Sequence, residues 1–254
     1  MMRCYPLMFI VLFLPSLATA APTWPLRQTL DIGLLHAEGA YGRSTVSRSE
    51  SLFWGWQARW RRSKLDLQHS LLAIRGPVAN DSAISCVGPC QTTGSGDLYL
   101  KGEWYTRPRM GFTGSISGRM KIPLTGRQQR LGTGEPDADI GLSLARSLGP
   151  WTPYLRIGYQ WRGDPVDIAL YDRASLQVAT TYALGKRLSL GLSADLRSRS
   201  HASSEARREL SWFGSWRASP RWHLTLFTLA GFSDASPAWA MGSRLSRHFT
   251  RRAR

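Results

Sequence analysis

The sequence predicts an all-β protein: a transmembrane antiparallel up-and-down β-barrel of about twelve strands, with periplasmic N- and C-termini. Three observations predict it. Apolar and polar residues alternate along most of the chain, the connections between alternating segments are short and long in turn, and aromatic residues concentrate near the segment ends. The length of 254 residues is that of a single barrel domain. After residue 17 no stretch approaches the roughly 20 apolar residues that a spanning helix needs.

The first twenty residues have the layout of a cleaved secretory signal. Arg3 gives a positive start, residues 7–14 are continuously apolar, and Ala18-Thr19-Ala20 is a small-x-small cleavage site. We therefore expect a signal peptide at 1–20, cleaved after Ala20, and one outer-membrane barrel domain at 21–254. The expected location is the outer membrane of a Gram-negative bacterium.

Two cysteines remain once Cys4 leaves with the signal. Cys86 and Cys90 are separated by a segment in which Gly88 and Pro89 favour a turn, so an oxidising compartment favours a disulfide that closes a small loop. A redox motif normally spaces its cysteines by two residues, and a zinc site needs further ligands that nothing nearby offers. We expect neither a metal nor a cofactor.

Alternation with a period of two identifies the strands. Leu188, Leu190 and Leu192, for example, alternate with small or polar neighbours. Segments of this kind, separated by turn residues, are predicted at 27–36, 52–61, 64–74, 96–106, 111–123, 137–147, 152–161, 171–184, 188–198, 207–218, 221–231 and 238–249.

The predicted connections fall into two classes that alternate along the chain. The tight ones are at 61–64, 107–110, 148–151, 185–187 and 219–221. The longer ones are at 37–51, 75–95, 124–136, 162–170, 199–206 and 232–237. Outer-membrane barrels alternate short periplasmic turns with longer extracellular loops, so this pattern places both termini on the periplasmic side.

Aromatic residues gather near both predicted ends of the strands, as in the interfacial girdles of membrane barrels. The short-turn side has Trp60, Trp104, Trp151, Trp216, Trp222 and Phe249, and the long-loop side has Trp54, Trp161 and Trp239. A final strand with Phe249 near its end resembles the signal that the barrel-assembly machinery reads, so we expect that machinery as a partner during biogenesis.

Three segments resemble one outer-membrane barrel family. Residues 121–126 read Lys-Ile-Pro-Leu-Thr-Gly, residues 131–137 read Leu-Gly-Thr-Gly-Glu-Pro-Asp, and residues 158–164 begin with Gly-Tyr and end with Gly-Asp. They are similar to segments of the family labelled as phenol-degradation meta-pathway proteins, with Leu124 as one additional residue. Members of that family are often described as transporters, so the resemblance implies a transporter-like barrel.

The interior predicted by the alternation is mixed but basic. Charges at lipid-facing mid-membrane sites cost about 2–4 kcal/mol, so the alternation turns them inward. The candidate lumen-lining basic residues are Arg119, Lys121, Arg156, Arg173 and Arg197, and the acidic ones are Glu103, Asp137, Asp139 and Asp195. We expect the basic groups to attract small acidic solutes in a water-filled channel, with the aspartates orienting them and Lys121 pairing with Asp137. The alternative is that these charges plug the barrel and make it a structural or surface-interaction scaffold.

The formal net charge of +16 raises nucleic acid as a partner. The charges, however, are spread along the whole chain, and an exported protein does not ordinarily meet nucleic acid. Outer-membrane lipid, the phosphates of lipopolysaccharide and small solutes are the better-matched partners.

A lipid hydrolase is the enzymatic alternative. His201 and Ser203 have the spacing of a nucleophile and its base on one strand face, and Glu205 continues that face. The surrounding residues 197–208 are hydrophilic throughout and predict a solvated loop, so we expect no catalysis.

One position conflicts with the alternation. His69 shares the predicted lipid face of its strand with Leu67 and Leu71. Either a bulge shifts the register there, or a neutral histidine lies near lipid.

Overall fold

A computed structural model describes residues 27–76, 91–125, 131–165 and 169–250. The expected signal peptide and the pair Cys86 and Cys90 lie outside the described residues. The described secondary structure is entirely β. Its strands are β1 (Arg27–Gly39), β2 (Ser47–Arg59), β3 (Ser63–Arg75), β4 (Gln91–Ser95), β5 (Leu98–Tyr105), β6 (Phe112–Ile122), β7 (Asp137–Arg146), β8 (Trp151–Trp161), β9 (Arg173–Ala183), β10 (Leu188–Arg197), β11 (Arg207–Arg217), β12 (Trp222–Gly231) and β13 (Trp239–Thr250).

The strands form one closed antiparallel barrel. Apart from β4 and β5, strands that are neighbours in the chain pair with each other, and β1 pairs with β13, which closes the wall. β4 and β5 both pair with β3, one after the other along its length, so together they occupy one position in the wall. Thirteen strand segments therefore make a twelve-stranded barrel, as the sequence predicts.

The connections confirm the predicted alternation of short and long. The short ones, at 60–62, 106–111, 147–150, 184–187 and 218–221, lie at the same end as the start of β1 and the end of β13. β1 and β2 extend further toward the long-loop end than predicted, because residues such as Ser47 and Glu38 continue the pairing without continuing the apolar alternation.

The outer face is apolar and the inner face is polar or small. Leu34, Ile157 and Leu226 each expose more than half of their surface, although all three are in mid-strand. An apolar belt of this kind around a closed sheet is the surface that a bilayer covers, and closure satisfies every backbone group in the wall. The barrel is therefore built to span a membrane with its strands.

Exposed aromatic side chains lie at both ends of the belt, where the sequence predicts girdles. At the short-turn end the exposed ones include Trp104, Trp151, Trp216, Trp222 and Phe249, and at the long-loop end Trp161 and Trp239. Trp54, predicted at the long-loop end, lies in mid-strand because β2 extends to Ser47. In the described residues no helix has the length and hydropathy needed to cross a bilayer.

A bulge interrupts the wall between β4 and β5. Gln68 of β3 lies opposite Tyr99, and Leu71 lies opposite Ser95, so three steps along β3 face four steps along its partner. The extra residue falls at Gly96, whose N–H donates to the Ser70 carbonyl at 2.8 Å. The strand predicted at 96–106 is thus observed as β5, whereas β4 lies in the segment predicted as the end of the loop at 75–95.

The bulge also resolves the conflict at His69. The ring lies on the outer face, edge-on to Trp54 with centroids 4.8 Å apart. Its Nδ1 is 3.4 Å from the Asp97 carbonyl, and its Nε2 is 3.1 Å from the Ser95 hydroxyl. The bulge is in the neighbouring strand and leaves His69 on the outer face, but it brings two polar partners to the imidazole.

Three inward-facing phenylalanines lie flat along the wall because each is opposite a glycine. The cross-strand pairs are Phe53 with Gly33, Phe213 with Gly191, and Phe227 with Gly242. A Cβ atom added at any of these glycines would overlap the ring. The rings therefore cover neighbouring backbone instead of projecting across the lumen.

Gly191→Ala should destabilise the barrel by about 1–3 kcal/mol, because the methyl group forces the Phe213 ring off the wall. The measurement is urea unfolding of the refolded protein in lipid vesicles. Gly102→Ala is the matched control, since nothing lies within 4 Å of a Cβ built there. Adding Phe213→Leu to Gly191→Ala should restore part of the lost stability. Equal losses of stability in the Gly102 and Gly191 variants would contradict the packing of Phe213 against Gly191.

Candidate functional site

The barrel encloses a cavity of about 330 Å³ beside β1, β2, β3, β5, β6 and β13. Its lining is rich in charged and polar side chains. It comprises Asp31, Phe53, Gly55, Gln57, Lys64, Asp66, Leu67, Gln68, Tyr99, Lys101, Arg119 and Arg244. Four cations and two carboxylates thus surround one space inside a membrane-spanning wall.

One side of the lumen has a cluster centred on Asp139. Arg119 donates from Nε to one carboxylate oxygen, and Arg156 approaches the other from Nη2 at 3.4 Å. Nη1 of Arg156 also donates to the Ser117 hydroxyl at 2.6 Å. The guanidinium of Arg156 lies against Gly141, where a Cβ atom would overlap it. Three of the predicted lumen residues therefore form one bonded unit against the wall.

A second ionic cluster lies nearer the short turns. Lys64 is 3.1 Å from Asp66 and 3.7 Å from Glu103, and Lys101 is 3.4 Å from Glu103. Ser115 donates to Glu103 at 2.8 Å. The predicted acid Glu103 is thus held by two lysines and a hydroxyl, while Lys64 and Asp66 belong to the lumen although the sequence analysis did not select them.

Arg244 is the cavity cation whose charge is least compensated. Its guanidinium lies 5.3 Å from the centre of the Phe53 ring, and its buried Nε has no hydrogen-bond partner. Among the described residues it forms no ion pair with a carboxylate. Arg244 is not among the predicted lumen residues, although the alternation of the last strand indicates its position: Trp239, Met241 and Leu245 face out, so the even-numbered positions face in.

The inward positions in the middle of β9 to β12 are uncharged, whereas Asp195 and Glu209 lie nearer the long-loop end of these strands. The uncharged positions hold small, hydroxyl, amide or aromatic side chains. They are Gln177, Ala179, Thr181, Ser189, Gly191, Ser193, Ser211, Phe213, Ser215, Thr225 and Phe227. The lumen therefore has a charged side and a neutral side.

Lys121 and Asp137 are placed differently from the other predicted residues. They pair across β6 and β7 at 3.1 Å, as the sequence predicts, and both are buried. Lys121 also lies 3.8 Å from Asp97 and donates to the Thr133 hydroxyl at 2.8 Å. This network fastens a segment of the loop after β6 inside the barrel mouth, where Leu131 packs on Ile74.

The remaining predicted residues lie toward the long-loop mouth and are not part of the cavity. Arg173 is buried and donates twice to the side-chain oxygen of Gln160, at 3.2 and 2.9 Å. Arg197 donates to Asp195 at 2.8 Å. Of the nine predicted lumen residues, the structure therefore brings Arg119, Arg156 and Asp139 together and distributes the others along the wall.

The His201 and Ser203 pair is in contact but poorly supported for catalysis. Nδ1 of His201 and the Ser203 hydroxyl are 3.1 Å apart in an exposed loop. The Glu205 carboxylate accepts the Asp234 backbone N–H at 3.2 Å, so it is engaged elsewhere in the loop. In the part of the chain that the structure describes, no group of three or more metal-binding side chains occurs.

A family model described as "Putative MetA-pathway of phenol degradation" matches residues 50–249. The match covers most of the barrel wall. The chain belongs to this family. The resemblance seen in three short segments is thereby confirmed over the length of the domain. A comparison with curated protein sequences found no match.

Solved structures share the fold at very low sequence identity. The NanC porin aligns with a TM-score of 0.60 and 8% identity, over 87% of this chain and 99% of that chain. The KdgM porin gives 0.55 and 7%, over 88% and 99%. The translocator domain of autotransporter NalP from Neisseria meningitidis gives 0.51 and 9%, over 91% and 90%. Because porins and a translocator share this barrel, the similarity supports the fold but does not identify the activity. The activity has to be inferred from the residues that line the lumen.

Lys121→Met should lower the free energy of unfolding by about 3–5 kcal/mol at neutral pH, because it leaves two buried carboxylates, Asp97 and Asp137, without their cation. The loss should shrink as the pH is lowered from neutral, because protonation of Asp97 removes buried negative charge that Lys121 no longer compensates. Urea unfolding in vesicles at neutral and at lowered pH measures it. Lys186→Met, in an exposed turn, is the control and should change little; a pH-independent loss at Lys121 would contradict the ionic account.

Proposed function

We propose that this protein is an outer-membrane channel for small anionic solutes. The observation that carries the proposal is Arg244: a cation without a carboxylate partner among the described residues, facing a cavity inside a membrane-spanning barrel. A cation in a low-dielectric wall attracts anions and repels cations, which raises the local concentration of anionic solute.

The cations that are paired with carboxylates also support the passage of anions. Asp139 holds Arg119 and Arg156 in fixed positions, so their remaining N–H groups are oriented before a solute arrives. An anion then moves from the N–H groups of one cation to those of the next along the charged side of the lumen. The small side chains of the neutral side leave room for it to pass. Conduction needs binding that is weak and repeated, and a series of partly compensated cations provides both.

The plugged scaffold is the competing function. The ion pairs of Lys64, Lys101 and Arg119 with their carboxylates stabilise the wall in either case. The cavity of about 330 Å³ favours the channel, because charged side chains that closed the barrel would fill that space with their own contacts.

Location, orientation and the absence of enzymatic activity complete the proposal. The belt and girdles fit an outer membrane, the predicted signal at 1–20 fits export, and the short turns fit the periplasmic side. The same orientation places His201 in an external loop without a third catalytic group among the described residues, so we propose no hydrolase activity.

Orientation is testable on intact cells. A protease-cleavable epitope inserted in the loop at 40–46 should be cut by external protease, and an epitope at the C-terminus should be protected until the membrane is opened. Mass measurement of the purified protein should give Ala21 as its first residue. Cleavage of the C-terminal epitope on intact cells would reverse the proposed orientation.

Arg244→Ala should reduce anion selectivity by at least about twofold, because it removes the uncompensated charge from the lumen. The measurement is single-channel conductance of the refolded protein in planar bilayers under a salt gradient, with the reversal potential reporting ion preference. Arg43→Ala is the matched control: the same charge is lost from an exposed loop outside the barrel, and selectivity should not change.

Two results would overturn the proposal. A barrel that is folded, as judged by heat-modifiable migration in gels, but never conducts is a plugged scaffold. A channel that prefers cations, or one whose selectivity is the same with and without Arg244, is not an anion channel of the proposed kind.

A further inference from the structure

The two ends of the barrel carry very different charge. The cations are spread along the whole sequence, but the fold places many of them in the short turns, away from the carboxylates of the long loops. The five short turns contain seven cations and no carboxylate: Arg61, Arg62, Arg107, Arg109, Lys186, Arg187 and Arg221. In the six long loops, the described cations Arg43, Arg162 and Arg199 are accompanied by the carboxylates of Glu135, Asp164, Asp172, Glu205 and Asp234.

The strand ends extend this basic ring. Arg146 and Arg247 project outward at the same end of the barrel, next to the turns. The outward strand-end cations Arg75 and Arg208 lie at the other end, which also holds the carboxylates of the long loops. Within the described residues none of the nine side chains at the short-turn end is ion-paired to a carboxylate. Most are exposed, as Arg61, Arg107 and Arg187 are. The ring therefore presents positive charge that the protein itself does not neutralise.

The guanidinium groups are held at a definite depth. Three of them lie over aromatic rings on the outer wall: Arg62 at 5.9 Å from the centroid of Trp104, Arg146 at 4.7 Å from Phe112, and Arg247 at 5.4 Å from Trp222. Aromatic girdles lie at the level of the lipid headgroups. Arginines stacked on the girdle are therefore at the level of lipid phosphates, which they bind through paired N–H groups.

We propose that the short-turn end is a binding surface for anionic glycerophospholipid headgroups in the membrane leaflet at that end. The distribution of the charge around the barrel favours lipid over a protein or glycan partner. Turns with cations occur between β2 and β3, β5 and β6, β9 and β10, and β11 and β12, so the charge follows the circumference. Lipid surrounds a barrel on all sides, whereas a rigid macromolecule contacts one part of it.

The proposal goes beyond the channel function, because it concerns the outer wall and not the lumen. The test uses quenching of tryptophan fluorescence by brominated phosphatidylglycerol against brominated phosphatidylcholine, with the full mature chain refolded in vesicles. The relative binding constant of the two lipids is the quantity measured. We expect a preference for phosphatidylglycerol that falls in 0.5 M salt, because exposed charge is screened (Debye length about 4 Å).

Two variants with equal charge loss decide whether the ring is responsible. R61Q/R107Q/R109Q/R187Q removes four cations from the short-turn end, and the preference should fall at least about fivefold. R43Q/R75Q/R199Q/R208Q removes four exposed cations from the long-loop end, and the preference should be retained. Heat-modifiable migration shows that each variant is folded.

The outcomes separate this proposal from its rivals. No preference in the natural chain, an equal loss in both variants, or selective binding of lipopolysaccharide with none of phosphatidylglycerol would each overturn it. Conductance measured on the same samples reports the channel function separately, since the substituted residues are outside the cavity.

Discussion

Closure of the sheet through the pairing of β1 with β13 is the constraint on which the rest of the structure depends. In a bilayer no water is available to satisfy an open strand edge, so only a closed sheet can place this backbone there. Closure fixes the register of every strand, and the register decides which side chains meet lipid. The polar lumen, the apolar belt and the flat phenylalanines all follow from that one assignment.

The ionic clusters follow from the same constraint. A cation such as Arg119 cannot face lipid, so the register turns it toward the lumen, and there a carboxylate from the neighbouring strand compensates it. Asp139 is shared by Arg119 and Arg156, so that cluster holds one more positive than negative charge while both guanidinium groups stay bonded. Lys64 and Lys101 are matched by Asp66 and Glu103, and Arg244 adds a cation without a carboxylate partner among the described residues. Stability and ion preference are thus two consequences of one arrangement.

Period-two alternation was sufficient to predict the strand count, the two classes of connection, the girdles and the pairing of Lys121 with Asp137, because each depends only on local pattern. The bulge at Gly96 and the burial of Lys121 were not predictable in this way. The first depends on the register between β3 and its partner, and the second on a loop that folds back into the mouth. Arg244 could have been found from the alternation of the last strand, but Arg247 breaks that alternation by placing a charge on the lipid side. In the structure Arg247 stacks on Trp222 and Phe249, which accounts for this exception.

The basic ring and the lumen also bear on each other. At the short-turn mouth the inward-facing Arg27 and Arg217 donate to ring nitrogens of His248 and His223, and Arg59 lies over Tyr105, so these cations contact rings where Arg119 and Arg156 contact a carboxylate. The positive potential of that end therefore extends from the outer wall into the pore. An anion that moves from the long-loop end toward the short turns moves toward positive potential, which lowers its electrostatic energy, and salt screens this attraction less inside the barrel than outside. If phospholipid headgroups neutralise the cations on the outer wall, the inward-facing arginines still attract a solute in the pore. Lipid binding and anion preference therefore depend on different cations at the same end of the barrel.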